Sequence, residues 1–134
     1  MKNCINRIPL GVKREDIKAR EKIIKDYYAK WIREHPTKKI WNHQLQDYIH
    51  VKYQSINETY NKAARNYKST LAVFKLTEVL ENAILTKESE IKKNNKNQKI
   101  YSKLLIMKHG YIKLIVGIQR TSQEKVQYCL SAIE

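Results

Sequence analysis

The last third of the chain constrains its fold most. Residues 99–110 (KIYSKLLIMKHG), 111–122 (YIKLIVGIQRTS) and 124–133 (EKVQYCLSAI) are three alternating apolar segments joined by very short connections. Period-two alternation with turns this short leaves no room for crossover helices, so the segments must pair as an antiparallel meander. In the second segment Ile112, Leu114, Val116 and Ile118 share one face, marking the core side, and Tyr111, Lys113, Ile115, Gly117 and Gln119 share the other. The same alternation puts Val126, Tyr128, Leu130 and Ala132 opposite Gln127, Cys129, Ser131 and Ile133. The mixed face is where a ligand could lie. His109-Gly110 and Thr121–Glu124 supply the turns.

Upstream, apolar positions at Ile17, Ile24, Tyr28 and Trp31 recur at helical spacing from Lys13 until His35-Pro36 ends the pattern. Residues 1–12, broken by Pro9-Leu10-Gly11, read as an arm. Trp41, Leu45, Tyr48 and Ile49 predict a short helix, and Ile49, Val51 and Tyr53 then predict an extended segment. Ser55-Ile56-Asn57-Glu58 has the form of a capping box that would start a helix at Ser55. Further helical spacing runs to about Ala83, as one bent helix or two, and residues 83–91 alternate weakly as a first strand. Residues 92–99 carry four lysines and no acid, and read as a loop. The expected architecture is therefore α+β and one domain, with N-terminal helices packed on one face of a C-terminal four-stranded antiparallel meander.

A chain of 134 residues can bury a core without staples, and 42% hydrophobic residues separate it from disordered compositions. Cys4 and Cys129 have no metal-ligand or redox spacing and fit a reducing cytosol. No apolar run approaches the ~20 residues of a membrane helix. The sequence contains no phosphate-binding loop, dinucleotide fingerprint or zinc-binding motif, so no cofactor and no metal is expected.

Against 13 acidic residues stand 27 Lys and Arg, a formal charge of +14, which makes RNA or DNA the first partner to consider. Metal-independent RNA cleavage requires a base for the 2′-hydroxyl, a cation for the phosphorane and an acid for the leaving oxygen. His50, Glu58, Arg120 and Gln127 are the candidates for those roles. Lys92, Lys93, Lys96, Lys99, Lys103, Lys113, Gln119 and Ser131 are the candidates for holding the polynucleotide. Each also has an ordinary structural reading: Glu58 as the cap, Arg120 as a solvated strand end, Gln119, Gln127 and Ser131 as a cross-strand polar ladder.

The order of elements, with Leu76–Ala83, Lys113–Arg120 and Val126–Leu130 carrying most of it, resembles the barnase/EndoU/colicin/RelE-like nuclease fold over roughly residues 51–134, including the small versions of phage and mobile-element proteins. The resemblance implies a metal-independent ribonuclease or toxin whose site combines a helix-proximal histidine or other polar residue with basic and polar residues on the sheet. In the last segment the only basic residue is Lys125, at its start. Two further readings fit the composition. One is a non-catalytic nucleic-acid-binding protein in which lysines neutralise phosphates and tyrosines stack. The other is a phage or plasmid protein that binds a protein partner, such as an antitoxin or a host defence complex.

Overall fold

The computed structural model describes residues 8–90, the last by its backbone alone, and 100–133. The chain is α+β, with the helices α1 (Arg14–Glu34), α2 (Tyr53–Ala63), α3 (Tyr67–Val73) and α4 (Leu76–Asn82). Its strands are β1 (Lys39–Asn42), β2 (Asp47–His50), β3 (Ile84–Glu90), β4 (Tyr101–His109), β5 (Ile112–Gln119) and β6 (Lys125–Ala132). They form one sheet in the order β1-β2-β6-β5-β4-β3.

This corrects the expected four-stranded antiparallel sheet. The last four strands are antiparallel neighbours, but a β1–β2 hairpin joins them through a parallel pairing of Ile49 with Lys125 and His50 with Val126, so the sheet is six-stranded and mixed. The helices are not confined to the N-terminus either, since three of them follow β2.

The hairpin lies where a short helix was expected. Trp41, Leu45, Tyr48 and Ile49 happen to fall at helical spacing, but the local chemistry of Asn42 favours a turn. Its side-chain carbonyl accepts from the amides of Gln44 and Leu45, at 3.1 and 2.8 Å. Its amide group donates to the carbonyls of Leu80 and Ala83 at the end of α4. Asn42 thereby closes the loop and anchors it to the helix, which a helical path through the same residues would forbid.

The capping box is also displaced. α2 begins at Tyr53, and the Ser55 hydroxyl reaches back to accept from the Lys52 amide at 2.9 Å. Ser55 thus does the work expected of Glu58. α3 starts from Asn66, whose side chain caps the Ser69 amide.

The main core fills the space between the helices and one face of the sheet. Ile24, Tyr28 and Trp31 of α1 and Val79 and Leu80 of α4 meet Ile49, Leu105, Met107, Ile112, Leu114, Val116 and Leu130. The largest polar side chains buried among the described residues, Arg20, Asn42 and Gln127, have their bonds satisfied. Arg20 donates to the carbonyls of Ala64 (2.7 Å), Pro9 (2.7 Å) and Arg65 (3.4 Å). Asn42 is bonded as described, and Gln127 lies between α1 and α2.

The strict alternation expected in β6 breaks at a bulge. Ile115 pairs with Cys129 but Val116 pairs with Gln127, so Tyr128 is the extra residue. The pleat changes phase there, and Gln127 turns inward beneath the helices instead of sharing the mixed face with Cys129 and Ser131. Tyr128 moves the other way, into a second cluster with Tyr101, Val126 and Cys129 on the far side of the sheet. Gly117 makes room for the Tyr101 ring in that cluster: a Cβ there would stand 2.6 Å from it.

β2 covers only the start of β6. Beyond it, Thr59 of α2 reaches Gln127, and Ser69 of α3 accepts from the Ala132 amide at 2.9 Å. Helices thus occupy the flank where an unpaired strand edge would otherwise lie.

Candidate nucleic-acid interface

Ile40 and Ile49 of the hairpin pack into the main core, so the alternating residues Lys39, Trp41, Tyr48 and His50 project to the far side of the sheet. Gln119 does the same at the end of β5, one residue beyond the core-facing Ile118. The turn after β5 brings Ser122 and Glu124 to this corner, and the entry into α2 brings Lys52.

These side chains form one hydrogen-bonded cluster. The Lys52 ammonium donates to Glu124 at 2.6 Å and to Gln119 at 2.9 Å. Ser122 donates to the same Gln119 carbonyl at 2.9 Å. Nε2 of His50 lies 3.5 Å from the other Glu124 oxygen. Beside it, Lys125 donates to Asp47 at 2.7 Å. Thr37, Lys38, His50, Val51, Lys52 and Tyr53 line an open cavity of about 340 Å3.

The electrostatics follow from these contacts. Burial holds the His50 imidazole below its ordinary pKa; Glu124 opposes this, and Lys52 and Lys39 reinforce it. The hydrogen bond from Lys52 holds the Glu124 carboxyl below its usual range, and that from Lys125 does the same for Asp47. The corner therefore presents a neutral imidazole at pH 7, beside carboxylates whose charge lysines already offset.

Of the residues singled out from sequence, His50 and Gln119 meet in this cluster. Arg120 adjoins it on the turn, exposed, with Nη2 donating to the Tyr101 carbonyl at 3.3 Å. Glu58 lies elsewhere: its charge acts on Tyr101 and Cys129 of the second cluster, whereas His50 responds to Glu124, Lys52, Lys39 and Asp47. Gln127 is fully buried, accepting from the Tyr28 hydroxyl at 2.9 Å and donating to Thr59 at 2.7 Å.

Among the binding candidates, Lys103 donates to Glu88 at 2.8 Å, and its register opposite Ile118 puts it on the helix side. Lys113 and Ser131 are cross-strand partners, with Lys108 on the other side of Lys113. That basic row lies about 20 Å from Gln119 along β5, at ~3.4 Å per residue. Lys92, Lys93, Lys96 and Lys99 lie outside the described residues.

Sequence reasoning missed Lys38, Lys39, Trp41, Tyr48, Lys52, Tyr53 and Glu124. Trp41 and Tyr48 face each other across the hairpin with ring centroids 5.1 Å apart and planes at 80°, and the Lys39 ammonium sits 4.4 Å above the Tyr48 ring. The signal was present in the alternation of Lys39-Ile40-Trp41 and Tyr48-Ile49-His50 about a polar centre, which marks a hairpin with its aromatics on the outer face.

Among the described residues no group of three or more His, Cys, Asp or Glu could hold a metal ion. None of their helices is long and apolar enough to cross a membrane.

A basic α+β domain with an aromatic and cationic sheet corner is the class these features define. The chain belongs to the family of large polyvalent protein-associated domain 3, LPD3, whose profile matches residues 19–117. The match stops inside β5, so β6, which pairs with both β5 and β2, lies beyond it. No curated protein and no solved structure matches the chain.

Proposed function

We propose that this chain is a nucleic-acid-binding module of a mobile element, with the corner formed by β1, β2, the start of α2 and the β5–β6 turn as its contact surface. The observation that carries the reading is the placement of Lys38 on an open cavity beside the exposed Tyr53 and of Lys39 over the exposed Tyr48 ring, in a chain with a formal charge of +14. Lysines in such a setting neutralise phosphates and release counterions. The family supports the setting, because this domain occurs in large polyvalent proteins of mobile or phage-like elements.

The test is fluorescence anisotropy with labelled RNA and DNA across a salt series. Binding should weaken linearly in log–log form as salt rises, and Lys38→Ala with Lys39→Ala should reduce the slope by about one per lost phosphate contact. Absence of binding at low salt would sink the reading.

One observation favours a second reading, metal-independent RNA cleavage of the kind the resemblance to small ribonucleases implies. His50 is held neutral 3.5 Å from a carboxylate and beside a lysine, which is the arrangement of a general base next to a phosphate-binding cation. Glu58 and Gln127 have no part in it. Incubating labelled RNA with the protein in EDTA decides between the two: shortening that His50→Ala abolishes would establish the enzyme, and intact RNA that stays bound would establish the binding module.

A further inference from the structure

The two sides of the hairpin differ in a way that charge alone does not explain. The apolar residues on its inner side, Ile40 and Ile49, join the core. On its outer side are a tryptophan and a tyrosine, 39% and 40% exposed, and Tyr53, at the rim of the adjoining cavity, is 80% exposed. Leaving three large rings partly or, for Tyr53, mostly in water forfeits part of the burial that would make them useful to folding. The buried Trp31 shows the alternative use in the same chain, 2% exposed with its indole N–H donating to Thr77 at 2.9 Å.

The cations are interleaved with the rings. Lys39 lies over Tyr48, its cross-strand partner is His50, and Lys38 and Lys52 line the cavity with Tyr53. The nearest carboxylates, Asp47 and Glu124, are each engaged by a lysine, so neither presents an unbalanced negative charge to an incoming polyanion. Rings that offer π-faces next to cations that follow a backbone match the chemistry of unstacked bases on a phosphodiester chain. A duplex keeps its base faces stacked inside and shows only its edges and phosphates.

Building on the nucleic-acid reading, we propose that Trp41, Tyr48 and Tyr53 are base-stacking platforms and that the ligand is a single-stranded polynucleotide whose phosphates are met by Lys38 and Lys39. The near-perpendicular planes of Trp41 and Tyr48 cannot both stack on one base, so successive bases would take different rings. On binding, Lys39 would exchange the Tyr48 face for a phosphate, opening that face to a base.

The experiment compares fluorescein-labelled single-stranded RNA, single-stranded DNA and duplex DNA of about 15 nucleotides, near the upper end of known single-strand site sizes. Trp41→Ala should weaken single-strand binding roughly 5- to 150-fold, the range for losing one base–aromatic stack, and change duplex binding by less than about 2-fold. Trp41→Phe, which keeps a stacking ring, should recover most of the loss. In the unaltered protein the oligonucleotide should quench tryptophan emission through Trp41, since Trp31 is buried, and this readout does not depend on any variant folding. Equal losses on single strands and duplex, or single-strand binding without quenching, would overturn the stacking role. Preference for duplex in the wild type would overturn it while leaving the nucleic-acid reading intact, and binding of neither would remove both.

Discussion

The two sides of this sheet put similar residues to opposite uses. On the helix side, Trp31, Tyr28, Arg20 and Gln127 are buried and their polar atoms are bonded to one another or to backbone carbonyls. On the outer side of the hairpin, Trp41 and Tyr48 touch each other, Lys39 lies over Tyr48, and both rings remain exposed. An aromatic or basic residue is therefore uninformative by type alone in this chain. What separates structure from function is whether its position is covered: the outer face of the hairpin is open, whereas Tyr101 and Tyr128, on the same side of the sheet, are buried in the second cluster.

The sharpest way to break the contrast is to remove one tryptophan from each side. Trp31→Ala takes a buried ring out of the main core and leaves Thr77 without its indole donor, and should cost about 3–5 kcal/mol. Trp41→Ala removes a cross-strand contact at an exposed pair and should cost less than about 1 kcal/mol. Urea unfolding of the two variants against wild type measures both. Similar losses would show that the hairpin is as structural as the core, and would weaken the case for a binding corner.

Arg20 tests the covered side by a different route. Its guanidinium is buried, has no acidic partner among the described residues, and is held by three carbonyls, two of them, from Ala64 and Arg65, just beyond the C-terminus of α2, where the helix dipole favours a cation. Arg20→Met preserves much of the volume but leaves the Ala64 and Pro9 oxygens without their donor. Each unpaired buried acceptor costs about 1–3 kcal/mol, so a loss of about 3 kcal/mol is expected in the same urea series. An unchanged midpoint would mean that water serves those carbonyls as well as the arginine does.

How far the sequence was legible depends on the same contrast. α1 and the strands β4 and β5 were readable because one long period dominates each of them. The hairpin was misread because four apolar residues at helical spacing outweighed Asn42, whose decisive bonds go to Leu80 and Ala83, 38 and 41 positions away. The inward turn of Gln127 was invisible because a single bulge reverses the alternation. His50 and Gln119 were found since a histidine and a glutamine near turns are chemically conspicuous. Their partners Lys52 and Glu124 were missed because it is long-range packing, the parallel β2–β6 pairing and the contact of α2 with β6, that brings these distant segments together. A second strand-like segment between α1 and α2 was the clue that would have suggested that pairing.

The smallest effect expected is also the one in which the two sides separate most clearly. His50 has a folded pKa below its ordinary value of 6.5, caused first by burial, so in mildly acidic solution the unfolded chain binds the extra proton more readily than the folded one. The stability that neutral His50 contributes is thus present above pH 6.5 and is lost as pH falls through that value towards the folded pKa. Glu124 and Asp47, also lowered, act in the same direction below their ordinary values of 4.5 and 3.8. Urea midpoints should be flat above neutrality and then decline in an early step of less than about 1 kcal/mol that His50→Gln removes. Nucleic-acid affinity should move oppositely, rising as pH falls through the same window, because protonation adds a cation to a surface that meets phosphates. If His50→Gln leaves both pH profiles unchanged, His50 is a bystander on the outer face and the contact surface must be sought further along β5, where Lys113 and Lys108 stand side by side.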